Sequence, residues 1–117
     1  MSSSRPPRRR QRPAALEQLL ADVMVWRHDP TQLQIATTFA QQGYADAQYI
    51  LGLLYAEGRG TPPDPVQACY WLSRAVAQGD RDATLLLQVA QQELNQDQRI
   101  ALEQQLANDA KQDQQLH

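Results

Sequence analysis

Few residues in this 117-residue chain have side chains that ordinarily do chemistry. His28 and His117 stand far apart, and no Cys/His cluster provides metal-ligand spacing. Ser73 has no histidine near it and no tight elbow around it. The "GRG" at residues 58–60 suggests a phosphate loop, but no strand precedes it and the "TPPDP" after it lacks the Lys-Ser/Thr pair. The lone Cys69 could act as a redox thiol only if exposed and held near cations. Arg74 is the only obvious one close in sequence, so a small packing role is the expectation. No catalytic residue, metal site or cofactor is expected, and the chain is not read as an enzyme.

Two other groups carry binding chemistry. Arg5, Arg8, Arg9, Arg10 and Arg12 lie within the first twelve residues, which hold no acid. The remainder has six Lys/Arg against 13 acids, a net of -7. A basic arm, residues 1–13, therefore precedes an acidic body. It could meet nucleic acid or another anionic surface, or simply be a solvated tail. The second group is aromatic. Tyr44, Tyr49 and Tyr70 are concentrated in a chain only 6% aromatic and are candidate anchors for a partner protein.

The elements that would carry these residues are helical throughout, with no sustained apolar–polar alternation. Leu16, Leu19, Leu20, Val23 and Met24 form one stripe, in a helix beginning at Pro13 or Ala14 and ending near His28. A second helix is expected over 31–42, stopped by Gly43, and a third over 44–57. Asp64, Pro65 and Gln67 mark the start of a fourth, by cap, first-turn proline and capping-box position. Gly79 closes it. A fifth is expected over 81–94. A sixth runs over about 98–110 with Asp97 as its cap, and the tail 111–117 should fray.

A shift of 36 residues lays Gly43 on Gly79, Asp46 on Asp82, Ala47 on Ala83, Ile50 on Leu86 and Leu51 on Leu87. A helix–turn–helix unit is repeating. The glycines can take the positive φ of a turn, the alanines let backbones approach, and Gly52 is a costly residue inside a helix unless another helix crosses there. Tyr55 and Trp71 are large enough to fill the wedge between paired helices.

The stretch "GYADAQYILGLLYAEGRGTPPDPVQACYWLSRAVAQGD" resembles the Sel-1-like repeat, a relative of the tetratricopeptide repeat. Gly43, Ala47, Leu51, Gly52, Tyr55, Gly58, Gly60, Asp64, Ala68, Trp71 and Ala75 occupy the family's signature places, and Gly79 and Ala83 begin the next unit. The best-matching unit is 43–78. Residues 14–42 and 79–110 resemble degraded units, as terminal caps of a short array would. Ala90 and Gln91 stand there in place of Leu54 and Tyr55.

The expected fold is therefore an all-α, short α/α solenoid of about three antiparallel hairpins, about six helices, within 14–110. The resemblance implies a non-catalytic protein–protein interaction module, an adaptor or scaffold holding a partner's peptide or helix on the repeat surface. The alternative is a nucleic-acid-associated accessory protein using the arginine arm. No apolar run reaches the ~20 residues of a membrane span, and cytoplasmic is the expected location. So small an array could also self-associate.

Overall fold

A computed structural model describes residues 11–24 and 31–115. It contains six α-helices and no strand among the described residues: α1 (Ala14–Met24), α2 (Thr31–Gln41), α3 (Ala45–Glu57), α4 (Pro65–Ala77), α5 (Arg81–Gln92) and α6 (Gln96–Gln115). The all-α repeat architecture is as expected. Arg5, Arg8, Arg9, Arg10, His28, His117 and the expected end of the first helix near His28 lie outside the described residues.

The 36-residue repeat is visible in hydrogen bonds. Gly43 N–H donates to Ala40 C=O and Tyr44 N–H to Phe39 C=O. One unit later Gly79 donates to Val76 and Asp80 to Ala75. Each pair is a Schellman closure. It requires a left-handed residue, and Gly43 and Gly79 supply φ of 96° and 92°.

Helix starts follow local chemistry. Asp64 accepts from Gln67 N–H at 3.1 Å and Asp80 accepts from Ala83 N–H at 2.9 Å. Gln67 does not complete a capping box, because its amide reaches across to Gln105 on α6 instead. At α6 the expected cap is corrected. Asn95, not Asp97, accepts from Gln98 N–H at 2.8 Å, and Gln98 Oε1 accepts from Asn95 N–H at 2.9 Å. This reciprocal box uses both side chains, so it wins over a single aspartate two residues later. α6 also continues to Gln115, five residues past the expected Ala110.

α3 and α4 form the central hairpin and share the most extensive contact; α2 packs on α3, and both α5 and α6 pack on α4. Gly52 marks a close approach of α3 to α4. A Cβ there would sit 2.7 Å from Leu72 Cγ and 3.1 Å from the Ala68 carbonyl. The core is built from small and aliphatic residues: Leu16, Leu19, Ala36, Ala40, Ala47, Leu51, Leu54, Ala68, Cys69, Leu72, Ala75 and Ala83 are all buried. Trp71 is buried at the wedge, and Tyr55 packs against the core partly buried.

The last hairpin departs from a regular stack. The backbones of α5 and α6 approach each other little, although each lies on α4; Arg99 of α6 donates to the Gln91 carbonyl at the end of α5 at 3.4 Å. Leu102 is buried and Leu106 partly so on α6, while Leu85 and Val89 on α5 are left in solvent.

Candidate functional site

No group of three or more His, Cys, Asp or Glu side chains is placed to hold a metal among the described residues. Cys69 is fully buried in α4. Burial, with Glu93 adding to it, pushes its thiol up to about 11, so it stays protonated at neutral pH and serves as a packing residue. The 58–60 loop ends α3: Gly58 is the left-handed C-cap and donates to Leu54 C=O. Arg59 in that loop is buried, 3.9 Å from Glu57. Nothing in its sequence context signalled a buried arginine.

The three candidate tyrosines have three different settings. Tyr70 is only 6% exposed. Its ring packs edge-on against Trp71, with centroids 5.0 Å apart. Its hydroxyl donates to the Asp109 carboxylate on α6 and accepts from Arg74 Nη1 at 3.1 Å. Burial raises its pKa, the bond to Asp109 raises it further, and Arg74 opposes both. Tyr70 thus fastens α6 to α4 and offers no surface anchor, because α6 covers the face that a shorter array would expose. Arg74 completes the arrangement, 5.4 Å above the Trp71 ring and 3.9 Å from Asp109.

Tyr44 is half-buried at the start of α3 and meets Phe39 edge-on at 5.7 Å. Tyr49 is half-buried on α3, one turn before the half-buried Leu53. Burial raises its pKa first, then the charges of Asp82 and Asp80 at the head of α5 and of Glu57. Tyr49 therefore sits on the ridge of α3 that looks toward the start of α5. Of the three, it is the one on a partly open apolar ridge along a helix.

A groove of ≈ 660 Å³ lies between α4 and α6. Ser73, Arg74 and Gln78 form one wall, Leu106 and Asp109 the other, and Gln48 lies at its base. Two of its amides, Gln48 and Gln78, are already engaged. Gln78 Nε2 donates to Gly43 C=O at 2.9 Å and to Gln48 Oε1 at 2.8 Å, and Gln48 Nε2 donates to Ala40 C=O at 3.2 Å. Arg74 and Asp109 face each other. These polar groups tie successive repeats together and do not converge on the space of the groove. The sequence signal was available: Gln42 and Gln78 recur at the repeat spacing.

Of the arginine arm, Arg12 is described. Its Nε lies 2.7 Å from Asp46 at the head of α3, and its Nη1 lies 3.8 Å from Glu17. The acidic body therefore engages the end of the arm nearest to it.

The Sel1 repeat family model matches residues 45–80, almost the whole of the unit singled out by spacing. No curated protein and no solved structure matches the chain.

Proposed function

We propose that this chain, whose residues 45–80 are a Sel1 repeat, is a non-catalytic adaptor that holds a peptide or helix of another protein on its repeat surface. Sel1 repeats generally mediate protein–protein interaction, and the family is typically non-catalytic. The observation that carries the reading here is the Tyr49–Leu53 ridge. It pairs an aromatic with an aliphatic residue one helical turn apart, both half-buried and therefore positioned at little entropic cost. An amphipathic partner helix reads such a ridge through its own i, i+4 residues.

No helix among the described residues is long and apolar enough to cross a membrane. The proposed compartment is the cytoplasm, where the single thiol of Cys69 needs no partner.

Affinity capture from native lysate with the full chain, with Tyr49→Ala and with residues 1–12 deleted tests the reading. A partner protein retained without the arm, insensitive to salt and lost with Tyr49→Ala at unchanged helix content is the expected result. Capture that needs the arm and falls steeply with salt would replace the ridge by the arginines and the adaptor by a nucleic-acid-associated protein.

A further inference from the structure

α5 carries a ridge that the other described residues leave open. Leu85 is 66% exposed and Val89 57% exposed. Shifted by 36 residues they fall on Tyr49 and Leu53 of α3. The same ridge is thus half-buried in the inner repeat, beside α5, and bare in the last one. Among the described residues, α6 leans onto α4 and leaves this row of α5 uncovered.

The ends of this ridge are charged in an unusual sense. Arg81, Leu85, Val89 and Glu93 are spaced by four and form one slanting row, with Leu85 and Val89 at its centre and the two charges flanking them on opposite sides. Arg81 is the first residue of α5 and Glu93 its C-cap. A cation at the positive end of a helix and an anion at the negative end both oppose the helix dipole. Among the described residues neither side chain forms an ion pair that would explain its placement.

The row Arg–Leu–Val–Glu is its own complement when reversed. A second copy of α5 laid antiparallel and crossed at about 50°, so that the two slanting rows align, with a two-fold axis between positions 85 and 89, sets Leu85 against the partner copy's Val89. It sets Arg81 against the partner copy's Glu93, twice over. Each charge then lies beside the favourable end of the other helix. A parallel pairing would put Arg81 beside Arg81 and Glu93 beside Glu93. We infer that the α5 ridge is an isologous, antiparallel homodimer contact. The geometry is the closed two-fold kind, one patch used by both copies.

The contact is one helix long, well below the ~1,600 Å² of a standard interface. Association is accordingly weak, with a dissociation constant on the order of 10 to 100 µM. This inference does not depend on the adaptor reading. Its contact is made by Leu85 and Val89 of α5, not by the Tyr49–Leu53 ridge of α3.

Sedimentation velocity of the full chain across about 5 to 500 µM, at about 0.15 M salt, should show a monomer–dimer equilibrium. Leu85→Asp is exposed enough to fold, as circular dichroism would verify, and should abolish the dimer. Arg81→Glu and Glu93→Arg alone should each weaken it by about tenfold or more, and the double reversal should restore it. A monomer throughout the range overturns the inference. So does a dimer indifferent to these variants, a double reversal no better than the singles, or assembly that runs on past the dimer.

Discussion

Cys69 shows how burial overrides a side chain's nominal chemistry. Its ordinary pKa of 9.0 rises to about 11 because the thiolate would have no water around it. This has a thermodynamic consequence. Above pH 9 the unfolded chain gives up the thiol proton while the folded chain keeps it. The contribution to stability is therefore complete below pH 9, shrinks as pH rises, and is gone above about pH 11. The loss is about 2–3 kcal/mol. Tyr49 and Tyr70 are raised from 10.0 and add losses of the same sign above that pH. Urea midpoints measured from pH 8 to 11 should fall steadily, and Cys69→Ala should flatten the part between pH 9 and 10. A flat profile in the parent would mean that the thiol is hydrated. Residue identity pointed to packing for Cys69 but could not foresee Tyr70, whose covering helix begins 26 residues further on.

At the scale of the helix pair, Gly52 is the point on which the α3–α4 hairpin closes. Alanine would gain roughly 1 kcal/mol in helix propensity. Against this, its Cβ would lie 2.7 Å and 2.9 Å from two carbons of Leu72 and 3.1 Å from a backbone oxygen. Leu72 is fully buried and has nowhere to retreat. Overpacking of this kind costs roughly 1–3 kcal/mol. Gly52→Ala should therefore destabilise by up to about 2 kcal/mol in a urea titration. In a Leu72→Ala background the clash with Leu72 disappears and only the 3.1 Å approach to the Ala68 carbonyl remains, so the same substitution should cost markedly less, a coupling that a double-mutant cycle measures. The glycine was conspicuous in the sequence because it sat mid-helix, and the inference that a helix must cross there required no coordinates. That the crossing partner is Leu72 did.

Across the molecule, stability is distributed unevenly. α4 contacts α3, α5 and α6, whereas α1 leans mainly on α2 and α6 mainly on α4. The far end of α6, beyond Ala110, is exposed at Lys111 and Gln112. Local opening should follow this pattern. Amide hydrogen exchange should be slowest in α3 and α4, intermediate in α2 and α5, and fastest in α1 and the last turns of α6. Equal protection in all six helices would show that the array opens only as a whole. It would also contradict the nearest-neighbour energetics of stacked repeats.

Local rules wrote most of the helices into the chain. Apolar spacing, Gly43 and Gly79 at matched turns, and the Asp64–Pro65 start act within a few residues, so sequence alone determined six helices and their 36-residue rhythm. Interactions between distant residues are different in kind, because they depend on which surfaces meet. Only the tertiary structure decided that Tyr70 would be sealed by Asp109, that the Gln48–Gln78 amides would join two repeats, and that Arg12 would turn to Asp46. It also decided that α6 would rest on α4 and leave Leu85 and Val89 in water. The side-chain pattern of α5 is that of a packed helix on more than one face, and packing had to choose which face went without a neighbour.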